Sequence, residues 1–426
     1  MARFSWMKLG AAATAAVMSL GMLGACGGGS GSGSGTHITL FNSKVEIEPQ
    51  LEEMAAKYSE EKGVDLEVIY SGDVVASHLA SKYASKDPYT ISMVDAKDVY
   101  SLAEEHAVDL SDESWVKDTD YAVKVNGKTY GFPLCVEARG VIYNAEAIKK
   151  ITGKDFNPED YKTLDAFKDL IDELKAGGMK SPVGIMKEDW SLAAHFLSEV
   201  VEQQSDPDAF VASLQDGSAD VANNEKFNEL MDTFDVLKEN NYAKDSAISA
   251  EREVTEQKLA EGEIAFMFGG NWDWSVINAY DYSEDMGLMP VPEDTTDGTN
   301  EKIVGGGAKM LFIDNSEQTS DEQRQAAKDF LKWLAEDDEG KSFITEDAAL
   351  VSPFKTNTLD VKDPLGKSVK KYADAGAMLP NYDHNPDDYI TVMGAEMQKY
   401  LAGQEDRAAF AKAYQTYWKS AKLSGI

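Results

Sequence analysis

The sequence predicts an α/β protein organised as two domains. Three observations carry that prediction. The chain has 426 residues, more than one simple core accommodates. From His37 onward, short β-branched runs alternate with segments of helical spacing, the order that builds a largely parallel sheet. Beyond Asn144 the same alternation starts again. Hydrophobic residues make up 43% of the chain and aromatics 10%, enough for packed cores.

Each element has its own signal. HITLFNS reads as a strand. PQLEEMAAKYSEEKG places Leu51, Met54, Ala55 and Tyr58 on one helical face and closes at Gly63. VDLEVIYS is a second strand, VVASHLASKYAS a helix and TISMVD a third strand. Ligands of open α/β sheets collect at the carboxyl ends of strands. Those ends carry Asn42, Ser43 and Lys44, then Ser71, Gly72 and Asp73, then Asp95. KVNGKTYGFPL is a hairpin, because Asn126-Gly127 supplies the positive φ angles of a type I′ turn. ARGVIYN is a further strand. TLDAFKDLIDELKAGG is a helix capped by Thr163, and Pro182 to Met186, EIAFMF and GLMPVP are strand-like. Gly305-Gly306-Gly307 reads as a turn where the chain changes domain. Ser320 and Gln323 form a capping box for a helix that Gly340 ends, and the chain is helical from about Tyr389.

The front of the chain reads as an address. Arg3 and Lys8 precede an apolar run from Leu9 to Leu23, which ends in Leu23-Gly24-Ala25-Cys26. This is the pattern of a secretory signal over residues 1–25. Its ending resembles a bacterial lipobox, in which Cys26 receives the lipid. Gly27 to Thr36 is a Gly/Ser tether, giving a lipid, a flexible spacer (26–35) and a folded body. The layout predicts a protein anchored at the extracellular face of a cell membrane, and it suits a Gram-positive surface. The body holds a single cysteine, Cys135, so no internal disulfide is expected.

The net charge of −34 makes nucleic acid and anionic membrane poor partners. None of the five histidines stands in a metal-ligand spacing, and neither a nucleophile elbow nor a dinucleotide fingerprint occurs. With 75 Asp and Glu, no catalytic carboxyl pair can be singled out. A binding protein without cofactor or metal is therefore expected rather than an enzyme.

Several stretches, in order, resemble one family. They are DPYTISMVDAKDVYSLAEE, GKTYGFPLCVEARGVIYN, GEIAFMFGGNWDWSVI, IVGGGAKMLFI and LPNYDHNPDDYITVM followed by YLAGQEDRAAFAKAYQ. Together they resemble the extracellular solute-binding proteins of carbohydrate ABC importers, the maltose-binding-protein relatives. The resemblance implies a two-lobe, periplasmic-binding-protein-like fold of type II with the ligand between the lobes. Chain crossings are expected near Asn144, Glu301 and Pro353. Lobe 1 would hold 36–144 and 304–352, and lobe 2 would hold 145–303 and 353–426. The protein would be a monomer that captures an oligosaccharide by closure and hands it to the permease.

The resemblance also marks residues. Trp272, first indole of GGNWDWS, is expected to face the cleft and stack on a sugar, with the core as its alternative; Asn271 beside it offers donor and acceptor. Trp274 is expected in the core, and Asp273 as a helix cap. Glu137 matches a cleft glutamate, and Arg139 either orients it or touches sugar. Trp190 opens a helix with cleft and core equally open, while His195 is expected to be buried. Tyr389 occupies the place of a stacking aromatic. Lys44, Glu46, Asp73 and Asp95 at first-lobe strand ends, and Asp383, complete the set. Rival readings are a binding protein for a cationic solute such as a polyamine, a lipid-anchored glycosidase, and an adhesin or sensor.

Overall fold

A computed structural model describes residues 35–71 and 75–424 of the chain. Cys26 and Asp73 lie outside the described residues.

Among the described residues, twelve strands form two sheets. They are β1 (His37–Asn42), β2 (Asp65–Tyr70), β3 (Ile91–Asp95), β4 (Val123–Val125), β5 (Lys128–Pro133), β6 (Val136–Asn144), β7 (Val183–Gly184), β8 (Phe266–Gly270), β9 (Met286–Met289), β10 (Ile303–Gly307), β11 (Lys309–Ile313) and β12 (Met378–Leu379). The first sheet runs β2-β1-β3-β11-β5-β4, with β1 parallel to β2 and β3, and β11 antiparallel to β3 and β5. The second runs β12-β10-β6-β8-β7, with β9 also on β6. Each sheet carries its own apolar cores. Ile38, Leu40, Met93 and Phe132 pack under the helix Asp321–Glu336 in the first lobe. Val141, Phe266 and Phe268 pack under Phe167, Phe196 and Phe234 in the second.

The local signals translate directly. Gly63 is left-handed (φ 68°) at the end of the helix Glu48–Lys62, and Asn126 and Gly127 have φ of 49° and 79° in the β4–β5 turn. Thr163 caps Leu164–Ala176 by accepting from the Ala166 amide, and Ser320 and Gln323 close their capping box. Gly340 differs from expectation. The helix ends at Glu336, and Gly340 sits inside the next short helix, Asp338–Ser342. A Cβ there would meet the Trp333 carbonyl at 2.1 Å, so close approach selects the glycine.

The sheets divide the chain differently from the expected crossings. The strand ending at Asn144 belongs to the second sheet, so the chain changes sheets at Leu134-Cys135. It returns at Ala308, between β10 and β11, rather than near Glu301. Near Pro353, Val351 bridges Val136 beside the first crossing, while Phe354 packs back in the first-lobe core and Val361 in a second-lobe cluster. The physical reason lies in β6, which is buried along most of its length and sits centrally. β8 covers one edge, while β10 pairs with residues 136–139 and β9 with 141–144 along the other. The glycine run is also a strand and not a turn. A Cβ on Gly305 would stand 2.3 Å from the Glu137 carbonyl oxygen, so the close β10–β6 pairing needs glycine there.

Gly305→Ala is expected to cost about 1–3 kcal/mol through overpacking. Gly306→Ala, whose added methyl meets only the Asn381 amide at 3.7 Å, should be close to neutral. Denaturant melts of both variants check this, and equal stabilities would remove the steric account of the glycine run.

Candidate functional site

A cleft of about 550 Å³ lies between the lobes, where the carboxyl ends of β1 and β3 face β6 and the 381–387 segment. The first lobe contributes Ser43, Lys44, Glu46, Asp95, Lys97 and Lys309. The second contributes Glu137, Arg139, Trp190, His195, Glu202, Arg252, Trp272, Asn381 and Asp383.

The floor is an ion pair that joins the lobes. The backbone of Lys44 is fixed by its amide bond to Asn42 Oδ1 at 2.8 Å, and the Lys44 ammonium donates to Glu137 Oε1 at 2.6 Å, with Glu46 at 3.7 Å. Lys44 is only 4% exposed. Burial alone would strip its proton; the charges of Glu137 and Glu46 outweigh that and hold its pKa above the ordinary value. Glu46 stays below the usual carboxylate range despite its burial, because Lys44, Lys309 and, across the cleft, Arg252 favour its charge. Lys309 meets Asp95 at 2.6 Å on the same first-lobe wall.

The opposite wall is aromatic. Trp190 opens a helical segment whose next residues, Ser191–Leu197, form a π-helical turn. The Ser198 amide there bonds the Ala193 carbonyl, five residues back. Such wide turns re-aim side chains at sites. Here the turn carries His195 onto the cleft wall and leaves the His195 carbonyl to accept from Arg139 Nε at 3.0 Å. The His195 ring lies 5.2 Å from Trp190 and 4.7 Å from Trp272. Burial, with Arg139 and Arg252 nearby, lowers its pKa, so it is a neutral ring. The Trp272 indole lies across Gly270, where a Cβ would meet three of its carbons within 2.5 Å.

Two further cations are clamped from behind. Arg252 donates to Glu256 at 2.9 Å and Asp273 at 3.1 Å, and its guanidinium sits 5.6 Å from the Trp190 ring centre. Glu256 and Asp273 are fully buried, and burial together with the neighbouring Asp273 charge raises the pKa of Glu256. Arg139, 5% exposed, bonds Glu202 and donates to Asn381 Oδ1 at 2.7 Å. Behind it Gln203 donates to Glu199 at 3.3 Å and to Glu293 at 3.1 Å. Burial pushes Glu293 up to about 8. Burial, with Glu202 and Asp95 nearby, pushes Asp383 up to about 7.

The cleft thus gathers Trp272, Trp190, Glu137, Arg139, Lys44, Glu46, Asp95 and Asp383. Two expectations change. Asn271 turns away and accepts from the Ala138 amide at 3.0 Å, pinning the tryptophan turn to β6. Tyr389 reaches the cleft wall only at its margin; its ring is 1% exposed and packs on Tyr417 and Trp418, because the helix Tyr389–Leu401 turns that face to the core. His195 is largely buried, as expected, and also lines the cleft. Trp274 packs at the edge of a core cluster against Tyr282, and Asp273 accepts from the Gly270 amide at 2.9 Å, as a cap does. Sequence reasoning missed Arg252, Lys309, Glu202 and Asn381. Arg252 and Glu256 look like an ordinary i,i+4 surface pair, so nothing local reveals them. Among the described residues no group of His, Cys, Asp and Glu could hold a metal ion, and no helix is long and apolar enough to cross a membrane.

Two α/β lobes around a charged and aromatic cleft define a hinged binding protein. Residues 53–378 match the family model of the bacterial extracellular solute-binding proteins, and the chain belongs to that family. Among solved structures it is similar to the solute-binding protein RafE in complex with raffinose (TM-score 0.73, 17% identity, 90% of this chain and 99% of that one). It is likewise similar to a sugar transporter from Bacillus licheniformis in complex with stachyose (0.67, 19%, 90% and 99%). A third is a binding protein from Bacillus subtilis in an open conformation (0.71, 19%, 92% and 98%).

Two predictions follow from the charges. Lys44→Met strands Glu137 and should cost about 3 kcal/mol, whereas adding Glu137→Gln should recover much of it; chemical denaturation of both variants decides, and a double variant no better than the single would refute the pair. Glu293 is raised above its unfolded value, so its contribution is full below about pH 4.5 and is lost as pH rises through about 8. The melting temperature should fall across that window, and Glu293→Gln should flatten the fall. An unchanged slope would mean that Glu293 is ionised throughout.

Proposed function

We propose that this protein captures a neutral oligosaccharide between its lobes and delivers it to the permease of an ABC importer. The carrying observation is the pairing of two unlike walls. Trp190, His195 and Trp272 present ring surface on one side; paired ions present donors and acceptors on the other. A pyranose has the same division, with a C–H face for the indoles and a rim of hydroxyls for the charges. Trp272 and Trp190 are the stacking residues of this reading. Lys44, Glu46, Glu137, Asp95, Asp383 and Arg252 bond hydroxyls, Arg139 orients the floor, and Asp73, outside the described residues, is a further candidate. Proteins of similar fold were solved with raffinose and stachyose, which supports the ligand class.

The charge census argues against a cationic solute. The chain carries −34, yet the cleft sets Lys44, Lys97, Arg139, Arg252 and Lys309 against its carboxyl groups, and four of these cations are already paired with acids. A polyamine would have to displace them. The ligand is bound and returned intact, not hydrolysed. A ligand that touches both lobes favours the closed arrangement by its differential contacts. In this reading Cys26 carries a lipid that holds the monomer at the outer face of the membrane.

The test is calorimetric titration of the body from Thr36 onward with raffinose, stachyose, chitin oligosaccharides and mannotriose, with spermidine as control. Binding of at least one glycan, little altered by salt, is expected. Trp272→Ala should weaken that binding by about 2 kcal/mol, roughly thirtyfold in Kd. Its stability loss should stay well below the roughly 3–5 kcal/mol of a deleted core indole. Salt-sensitive binding of spermidine alone would overturn the sugar reading; a collapse in stability would return Trp272 to the core.

A further inference from the structure

We infer that the segment Asn381–Asp387 is a clasp, rooted in the second lobe, that holds the lobes together through a ring contact between His384 and Tyr100. Tyr100 and His384 are then positioning residues for closure, acting whether or not a ligand is present. The inference rests on the hinged-closure reading but not on the identity of the ligand.

The roots are numerous for so short a segment without regular structure. Asn381 accepts from Arg139 at 2.7 Å, and the Tyr382 amide donates to the buried Glu202 at 2.9 Å. Asn385 donates to Ser198 at 3.3 Å. His384 Nδ1 meets the Ser424 carbonyl at 3.0 Å, and Ser424 donates to Asp387 at 2.5 Å. Every one of these partners belongs to the second lobe. The Tyr382 ring also backs His384 edge-on at 5.9 Å.

The other face of His384 leaves its lobe. Its ring lies 4.8 Å from the ring of Tyr100, tilted by 51°. Tyr100 stands on the helix Ala96–His106, whose Val99 and Ala103 are buried in the first-lobe core. That helix begins at Asp95, directly on the cleft. The contact therefore joins the two lobes directly, and opening them at this point must break it. An aromatic pair of this geometry shifts a closed-to-open ratio by roughly two- to tenfold. A contact made only on closure raises the binding-competent fraction, and with it the apparent affinity for any ligand.

Small-angle X-ray scattering of the ligand-free protein tests this independently of the sugar reading. The comparison uses wild type, Tyr100→Ala, His384→Ala, the double variant and Tyr100→Phe, each checked for folding by circular dichroism. Each alanine variant should show a larger radius of gyration, and the double variant no larger than either single one. Tyr100→Phe, which keeps the ring, should match wild type. If Tyr100→Ala does not fold, Tyr100→Leu replaces it and should expand in the same way. Unchanged radii in the alanine variants, or expansion in Tyr100→Phe equal to that in Tyr100→Ala, would overturn the clasp.

Discussion

The Lys44–Glu137 pair governs the rest of the structure. It is the place where the end of a first-sheet strand meets the start of the central strand of the second sheet. Burial to 4% exposure by itself lowers a lysine's pKa and disfavours its charge. Lys44 keeps its charge because two carboxylates converge on one ammonium, at 2.6 and 3.7 Å. The same contact fixes Glu137 opposite Gly306 in the β6–β10 ladder, beside the glycine that lets β10 approach. The geometry of the hinge and the polarity of the cleft floor thus share one interaction, and a change to either partner would be felt in both.

From that floor the cleft divides its labour by lobe. The first lobe supplies charges held at strand ends, where the chain must stop pairing and where polar side chains are cheapest to place. The second supplies the rings, together with Glu137, Arg139, Arg252 and Asp383, and three backbone devices aim the rings. The π turn at Ser191–Leu197 carries His195 to the wall, Gly270 makes room for the indole of Trp272, and Asn271 ties the turn to Ala138. Behind the rings, the buried carboxyl groups of Glu256 and Asp273 both accept from Arg252 and hold its guanidinium in place.

Much of this was legible in the sequence, and the remainder was hidden for identifiable reasons. Strand and helix identities came through because period and caps are local: Gly63, Asn126-Gly127, Thr163 and the Ser320–Gln323 box all act within a few residues. Lys44 was readable because a strand end marks it, while Glu137 and Trp272 were marked by the family resemblance, Trp272 with a glycine turn beside it. Sheet membership was not, because β6 follows β5 after two residues and carries no signal of changing partners. Tyr389 misled for a related reason: a helix start fixes where a ring begins, not which face turns inward. Arg252 and Glu202 were invisible because their roles depend on residues far away in the chain, Asp273 and Tyr382.

The electrostatics of the cleft bear on what it selects. Lys44, Arg139, Arg252 and Lys309 are already paired with acids within hydrogen-bonding reach, so a charged ligand at any of them would have to break a pair and leave a desolvated charge behind. A hydroxyl asks less. It can donate to the carboxylate and accept from the ammonium of one existing pair without separating them. Pairs such as Lys44–Glu137 and Lys309–Asp95 are therefore complementary to neutral polyols in a way that isolated charges would not be. Asp383 is the exception: burial and the neighbouring acids Glu202 and Asp95 push it up to about 7. Near neutrality it alternates between donor and acceptor, beside the segment that reaches across to Tyr100. Discrimination among polyols then falls to the rings, whose spacing from the ionic floor decides which hydroxyl pattern can meet both walls at once.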